Sequence, residues 1–319
     1  MKALAEAVAP ARVLVLLATF NGAAYLGEQL DSIFAQQGVE VGICYGDDGS
    51  QDDTAAVLAD YARRFPGRLQ SLRSDRRGGR ASRNFLRLLV DCEWEGDFDF
   101  VAFADQDDIW ATDKLRRAVD ALRASGALGY SGAVTAFWPD GREKLLGQNS
   151  RTRRADFLFE GAGQGCTFVL SPRLLKAVAP VIRQRWDSLD GLHYHDWLVY
   201  AFCRASGGDW YFDPQSCMRY RQHAANDTGA RSSLAGLVRR LKLVFSGWYS
   251  EQIRQMAVFC FDAVPACEPA RTYLALRELR LKQSVTGRLR LAAFVLRAGL
   301  RRMSDRCVLL AMALAGSLR

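Results

Sequence analysis

An unbroken apolar run, residues 12–18 (RVLVLLA), has the length of a buried strand. Leu26, Leu30, Ile33 and Phe34 then recur at helical spacing within residues 23–37. The alternation continues along the chain. Residues 39–46 read as a strand, and 52–65 as a helix with acids in its first turn and arginines in its last. Residues 68–74 read as a short strand, 81–92 as a helix and 98–104 (FDFVAFA) as a strand. Residues 112–125 read as a helix with Thr112 as its N-cap and Leu115, Val119 and Leu122 on one face. Apolar strands separated by amphipathic helices predict an α/β fold, a mostly parallel sheet flanked by helices on both faces.

Beyond residue 126 the pattern is mixed. Residues 132–147 predict a hairpin about Pro139-Asp140-Gly141, and 165–172 (GCTFVLSP) a strand that leads into a helix over 173–182. Residues 195–205 read as a helix, 209–223 as a strand region and 226–229 (NDTG) as a loop. A basic helical appendage follows. The expected division is a catalytic domain over 1–230 and a tail over 231–319.

Charge sharpens that division. The net charge is +8, and after residue 230 sixteen Lys+Arg stand against five Asp+Glu, so the preceding residues are slightly acidic. A basic tail implies an anionic partner. Leu289, Ala293, Leu296, Leu300, Met303 and Cys307 form an apolar stripe at helical spacing, with Arg290, Arg297, Arg301 and Arg302 outside it. That pattern suits an anionic membrane surface; packing on the catalytic domain or on a second subunit is the alternative. Nucleic acid is disfavoured, since no interleaved aromatics or known module accompany the arginines. Among the eight cysteines no C-x-x-C pair occurs, which argues against a cysteine zinc site and for a reducing cytoplasm. No secretory signal is read, and no apolar stretch reaches the roughly 20 residues of a membrane span.

The acids give the chain its candidate chemistry. Polar clusters fall at the ends of three predicted strands: 19–21 (TFN), 46–53 (GDDGSQDD) and 105–108 (DQDD). Ligands of parallel sheets bind at those carboxyl ends. Asp105 and Asp107 are spaced to converge on one small site, one for a hard cation such as Mg²⁺ or Mn²⁺ and the other for a ribose hydroxyl. Asp108 is expected to turn towards the following helix. A helix-capping cluster without metal is the plain alternative. In GDDGS the acids are able to accept from a nucleobase N–H. An EF-hand loop is not matched, and GAGQGC has the wrong glycine spacing and place for a dinucleotide fingerprint. His193, His195 and His223 are the only histidines; 193 and 195 alternate, which disfavours a three-histidine zinc site. Trp110, Trp138, Trp186 and Trp197 are able to stack on sugars, though each also suits a core, with Trp110 expected beneath the acid loop.

The ordered set LATFNGAAYLGEQLDSIFAQQ, GDDGSQDDT, FADQDDIW and HDWL resembles the family 2 inverting glycosyltransferases of the GT-A fold. DQDDIW, GCTFVLSP and YRQH together resemble the rhamnosyltransferase-type members of bacterial polysaccharide and lipopolysaccharide assembly. The resemblance spans about residues 12–229. It implies that Thr19 and Asn21 line a nucleotide pocket and that Asp48, or Asp47 beside it, contacts the base. Arg80 and Asn84 would border the nucleotide-sugar. Asp105 and Asp107 would be the D-x-D pair, Asp107 the metal ligand, and His223 would approach the metal or the diphosphate. Asp196 would be the catalytic base. Read from the residues themselves, Gly165 and Cys166 are expected on the acceptor side, where glycine allows close substrate approach, with a plain loop the alternative, and Trp197 is placed there too. The sequence departs from many relatives in carrying His195 where they place a second acid.

The resemblance further implies a dTDP- or UDP-sugar donor, with dTDP-rhamnose the first expectation, and a glycan or lipid-linked glycan acceptor. With the cysteine usage and the basic tail, the expectation is a cytoplasmic enzyme peripheral to the inner face of the cell membrane. A nucleotidyltransferase is the rival enzyme class, although TFNGAAYL lacks the basic residues such enzymes carry after the first strand. A non-catalytic sugar-nucleotide-binding protein is the other.

Overall fold

The computed structural model describes residues 9–76, 78–93, 97–223, 246–281, 285–315 and 318. The boundary expected at 230/231 and the 226–229 loop lie outside them. The first half runs β1 (Ala11–Thr19), α1 (Ala23–Phe34), β2 (Val39–Asp47), α2 (Thr54–Arg64), β3 (Leu69–Ser71), α3 (Ala81–Asp91), β4 (Phe100–Ala104), β5 (Ile109–Trp110) and α4 (Lys114–Ser125). Then come β6 (Gly129–Phe137), β7 (Glu143–Leu146), β8 (Val169–Leu170), α5 (Pro172–Gln184), α6 (His195–Ala205) and β9 (Trp210–Arg221). Four helices close the described chain: α7 (Trp248–Ala263), α8 (Glu268–Leu281), α9 (Val285–Ala298) and α10 (Met303–Ala315).

The strands form one sheet in the order β3-β2-β1-β4-β8-β6-β9-β5, with β7 paired to β6. Its three longest ladders, β1 with β2, β6 with β9 and β1 with β4, are parallel. The short strands β8, β5 and β7 run antiparallel to their neighbours. The α/β, mostly parallel expectation holds, and so does the 132–147 hairpin.

Side-chain alternation on β1 explains the layers. Val13, Val15 and Leu17 face a core shared with Leu26 and Leu30 of α1, Leu58 of α2 and Leu115 of α4. Leu14 and Leu16 face the other core, with Phe85 of α3, Val178 of α5 and Leu198 of α6. Both faces are covered, so β1 reads as a continuous apolar run. The second core also takes in Ile253 and Met256 of α7, Tyr273 of α8, Leu291 and Val295 of α9 and Leu309 of α10. Each such buried side chain contributes about 1.5–3 kcal/mol, so the described tail helices are part of the same hydrophobic body.

Four local expectations change. The third strand spans only Leu69–Ser71. In 165–172 only Val169–Leu170 is strand; Phe168 N donates back to the Gly165 carbonyl, which makes Gly165–Thr167 a 3-10 turn. Helix α4 is led by Asp113 without a side-chain cap, so Thr112 is not its N-cap. The tail stripe divides between two helices, with Leu300 in the elbow after α9. Leu291, Ala292 and Val295 form the buried face there, which leaves Leu289, Ala293 and Leu296 turned to solvent.

Arg301 is likewise no surface charge. It is 8% exposed, its Nε lies 3.0 Å from Glu160 Oε1 and 3.6 Å from Asp156 Oδ2, and it sits over the Tyr200 and Phe212 rings. Ala155 N donates to the Ala298 carbonyl at 2.9 Å beside it. The elbow is thereby fastened to the sheet body.

Candidate active site

Parallel pairing sets Thr19 opposite Asp47 and Leu17 opposite Ala104, so the segments after β1, β2 and β4 leave the sheet along one edge. The polar clusters therefore meet. Phe20 N donates to Gln106 Oε1 at 2.8 Å and Gln106 Nε2 donates to the Phe20 carbonyl at 2.9 Å, tying the first cluster to the third. Asn21 N donates to Ser50 Oγ, and Asn21 Oδ1 accepts from Gln51 N, both at 2.8 Å, tying the first to the second. Asn21 has φ +47°, an uncommon conformation that asparagine tolerates better than most residues.

Asp47 and Asp48 have different work. Asp47 Oδ1 accepts from Thr19 Oγ1 at 2.8 Å and Ser50 Oγ at 2.6 Å, and its Oδ2 from Ser50 N at 2.9 Å. It braces the turn. Asp48 reaches across to the loop before α3: Oδ2 accepts from Gly79 N at 2.7 Å, and Oδ1 lies 3.8 Å from Arg87 Nη2. A Cβ on Gly78 would fall 1.8 Å from that Oδ1, so a larger residue would have to push the Asp48 carboxylate away. Asn84 is buried; its Nδ2 donates to the Gly46 carbonyl at 2.6 Å and its Oδ1 accepts from Arg87. Arg80, at the start of α3, donates to the Asp190 carbonyl.

The acid loop after β4 meets β9. Asp107 Oδ2 lies 2.7 Å from His223 Nε2, and the His223 ring stacks on Tyr25 with centroids 5.1 Å apart. Arg221 Nε donates to the Asp107 carbonyl at 2.9 Å, and Arg221 pairs with Glu28 at 2.7 Å. Asp108 is fully buried, and its Oδ1 accepts from Arg221 N at 3.1 Å. It thus turns to β9, against the expectation that it faces the following helix. Burial, reinforced by Asp107 and Asp105, pushes its carboxyl well above the usual range, which favours the neutral acid. Beneath the loop Trp110 is buried, as expected, with Lys114 Nζ 3.4 Å from its ring centroid. Burial lowers that ammonium to about 8. Lys114, Arg221 and His223 surround the repelling acids, and of these the sequence reading singled out only His223.

Gly165 and Cys166 link the acid loop to α6. Ligand atoms of Asp105, Asp108 and Cys166 all lie within 4.8 Å of one another. One residue earlier, a Cβ on Gly165 would lie 2.9 Å from Asp196 Cβ and 3.2 Å from Asp196 Oδ2. Consecutive Cα atoms are about 3.8 Å apart, so the acids and Asp196 flank a single step of chain. Asp196 Oδ1 accepts from Trp197 N at 2.7 Å, and the nearby Gly165 backbone also favours its charged form. The side chain keeps partial solvent access, yet the protein packed around it pushes its carboxyl up to about 6, against the lowering effect of those backbone groups.

His195 is no second acid. It stacks on Phe85 at 4.0 Å and meets Phe103 edge-on, and burial lowers its imidazole to about 3. Trp197 is buried and its indole donates to the Phe157 carbonyl at 2.7 Å. His193 packs against Trp248, so among the described residues the three histidines sit in separate surroundings.

The donor chemistry suits a dication of the Mg²⁺ or Mn²⁺ kind. Asp107 and His223 are already in contact, and Asp105 lies on the same loop. The Cys166 thiol does not suit one, because burial and the acids push it well above its ordinary range. Phe20, Gln106 and Arg221 were missed from the sequence. Only position marked them: Gln106 stands between the acids of DQDD, and Arg221 stands two residues before the histidine of YRQH.

An open hollow of about 520 Å³ lies elsewhere, lined by Arg12, Phe34, Val39, Glu40 and Arg68. It opens at the amino ends of β1 and β2, away from the acids.

Residues 14–177 match the family described as Glycosyl transferase family 2. The chain is 36% identical over 241 residues to the dTDP-rhamnosyl transferase RfbG of Shigella flexneri, covering 76% of this chain and 83% of that one. It is 24% identical over 213 residues to the uncharacterized glycosyltransferase alr2836 of Nostoc sp., covering 66% of this chain and 51% of the relative. Among solved structures, residues 1–349 of S. aureus TarS in complex with UDP superpose with a TM-score of 0.55 at 15% identity, covering 96% of this chain and 88% of that one. The same protein in complex with UDP-GlcNAc gives 0.57 at 16% identity, with the same coverage.

Proposed function

This chain belongs to glycosyl transferase family 2, and from that we propose that it transfers L-rhamnose from dTDP-rhamnose, with inversion, to a glycan or lipid-linked glycan. It is a glycosyltransferase of the GT-A fold that uses a nucleotide-sugar. The rhamnosyl assignment draws on the 36% identity to RfbG and on the DQDDIW, GCTFVLSP and YRQH motifs. The observation that carries the mechanism is the Gly165–Cys166 step, with Asp196 on one side and the acid cluster on the other.

In this mechanism the donor lies along the carboxyl edge of the sheet. Asp48 receives the base, Thr19 and Asn21 line its pocket, and Asp105 takes a ribose hydroxyl. Asp47 fixes the turn that presents Asp48, and Arg80 and Asn84 hold the loop that borders the sugar. When bound, Mg²⁺ or Mn²⁺ held by Asp107 and His223 would offset the charge of the departing nucleoside diphosphate. Arg221 adds fixed positive charge beside the acid loop. Asp196, raised to about 6, takes the acceptor hydroxyl proton as that oxygen attacks the anomeric carbon from the face opposite the diphosphate. Gly165 forms the acceptor-side wall, with Cys166 and Trp197 behind it.

Among the described residues no helix is long and apolar enough to cross a membrane. We place the enzyme in the cytoplasm, peripheral to the inner face of the cell membrane, where a lipid-linked acceptor would lie.

The test is a product assay with dTDP-rhamnose, Mg²⁺ or Mn²⁺, and a lipid-linked glycan extract. Release of dTDP with rhamnose incorporated into glycan is expected. Pyrophosphate as product would make the chain a nucleotidyltransferase, and donor binding without turnover would make it a binding protein; either result overturns the proposal.

A further inference from the structure

Helices α9 and α10 each turn an apolar stripe to solvent. On α9 it is Val285, Leu289, Ala293 and Leu296, and on α10 Met303, Cys307, Ala311 and Leu314, with Val308 alongside. Leu289 is 56% exposed and Met303 58%, although each helix buries its opposite face in the core. Leucine and methionine so placed, one turn after another, form an exposed patch of the kind that marks an interaction surface.

At the elbow the patch meets a strongly positive hollow of about 580 Å³, lined by five arginines, Arg151, Arg153, Arg301, Arg302 and Arg306, together with Met303. No acid lines it. Arg301 pairs with Glu160, but Arg153 donates to the Arg297 carbonyl, Arg302 to the Gly147 carbonyl and Arg306 to the Leu296 carbonyl. Backbone carbonyls orient these guanidinium groups without neutralising them. Arg153 Nε and Arg306 Nε are buried without a partner among the described residues. Arg288, Arg290 and Arg297 flank the α9 stripe, and Asp305 is the one acid in residues 285–315.

An apolar helix face bordered by unneutralised arginines complements an anionic bilayer, in which acyl chains receive the leucines and headgroup phosphates meet the guanidinium forks. We infer that the outer faces of α9 and α10 and the arginine hollow at their elbow form a docking surface for an anionic phospholipid membrane. The inference rests on the reading of the chain as a peripheral enzyme with a lipid-linked acceptor, and it assigns that contact to particular residues. A second copy of the chain fits less well, because two such hollows would bring like charges together.

The test is co-sedimentation of the full chain with phosphatidylcholine vesicles, with and without phosphatidylglycerol, at low and high salt. Wild type is expected to bind the anionic vesicles, release them in high salt and ignore the neutral ones. Arg297→Glu/Arg302→Glu and Leu296→Glu/Val308→Glu are each expected to weaken binding roughly tenfold or more. All four positions are exposed and none belongs to the donor site, so slow hydrolysis of dTDP-rhamnose without vesicles should be unchanged. Equal vesicle binding by wild type and variants overturns the inference, as does indifference of wild type to anionic lipid. A dimer dispersed by the Leu296→Glu/Val308→Glu change, with vesicle binding intact, overturns it in favour of a second copy. Absence of donor turnover alongside variant-sensitive vesicle binding would defeat the transfer reading and leave the docking surface standing.

Discussion

Gly165 lies against Asp196 so closely that an added Cβ would sit 2.9 Å from the aspartate's own Cβ, and its backbone favours the charged Asp196 carboxylate. The contact fixes a carboxylate beside the acid loop without relying on a long, mobile side chain. Gly165→Ala should displace Asp196 and leave the nucleotide pocket intact. The expected result is a fall in kcat of about 10²-fold or more with donor KM little changed. A parallel loss of donor affinity, measured by titration with dTDP, would show instead that the turn had collapsed.

Asp196 also sets a pH limb. A base must be deprotonated, and burial raises this carboxyl from 3.8 to about 6. The rate should therefore climb about tenfold per pH unit below 6 and level off above it. His195, lowered to about 3 and stacked on Phe85, stays neutral through this range and adds no limb there. Asp196→Asn should abolish transfer, with donor binding retained. Rates that stay flat from pH 5 to pH 7, or turnover in the Asn variant, would remove Asp196 from the role of base.

The two acids of GDDGS should separate in mutants. Asp47 spends its oxygens on Thr19 and Ser50, so Asp47→Asn should lower stability by about 1–3 kcal/mol in urea unfolding. Asp48 stands at the turn's outer end against Gly79, and Asp48→Asn should mainly weaken dTDP binding. The opposite pattern would reassign the base contact to Asp47.

Arg301 should matter to folding more than to chemistry. It is buried against the buried Asp156 and the half-buried Glu160, and removing it leaves both acids without their cation. Arg301→Ala should cost about 3–5 kcal/mol of unfolding free energy. The same reasoning makes deletion of the tail a poor probe of membrane binding, since Ile253, Met256, Leu291 and Val295 fill the sheet's second core. A stable, cooperatively folding chain ending at residue 230 would contradict this.

Much of this was legible because β1 and β4 are covered on both faces and so read as plain apolar runs. The strand-end acids were legible for the same reason: register carries Thr19 and Asp47 to one edge. What the sequence concealed depends on partners far along the chain. Asp108 was expected to serve the next helix, but its partner, Arg221 N, lies on β9. The apolar stripe of α9 was visible as spacing, yet spacing cannot say which of two apolar faces is buried. The core took Leu291 and Val295 and left Leu289 outside. The contact of Gly165 with Asp196, thirty-one residues on, needed the fold.

A dication at Asp107 and His223 would secure the donor diphosphate at the carboxyl edge of the sheet. Calorimetric titration of dTDP into the wild-type chain and the Asp107→Asn variant, each with Mn²⁺ and with EDTA, tests it most directly. The account predicts that removing Mn²⁺ weakens wild-type binding about tenfold or more and changes binding by the variant little. Wild-type affinity that is the same with and without Mn²⁺ would contradict it.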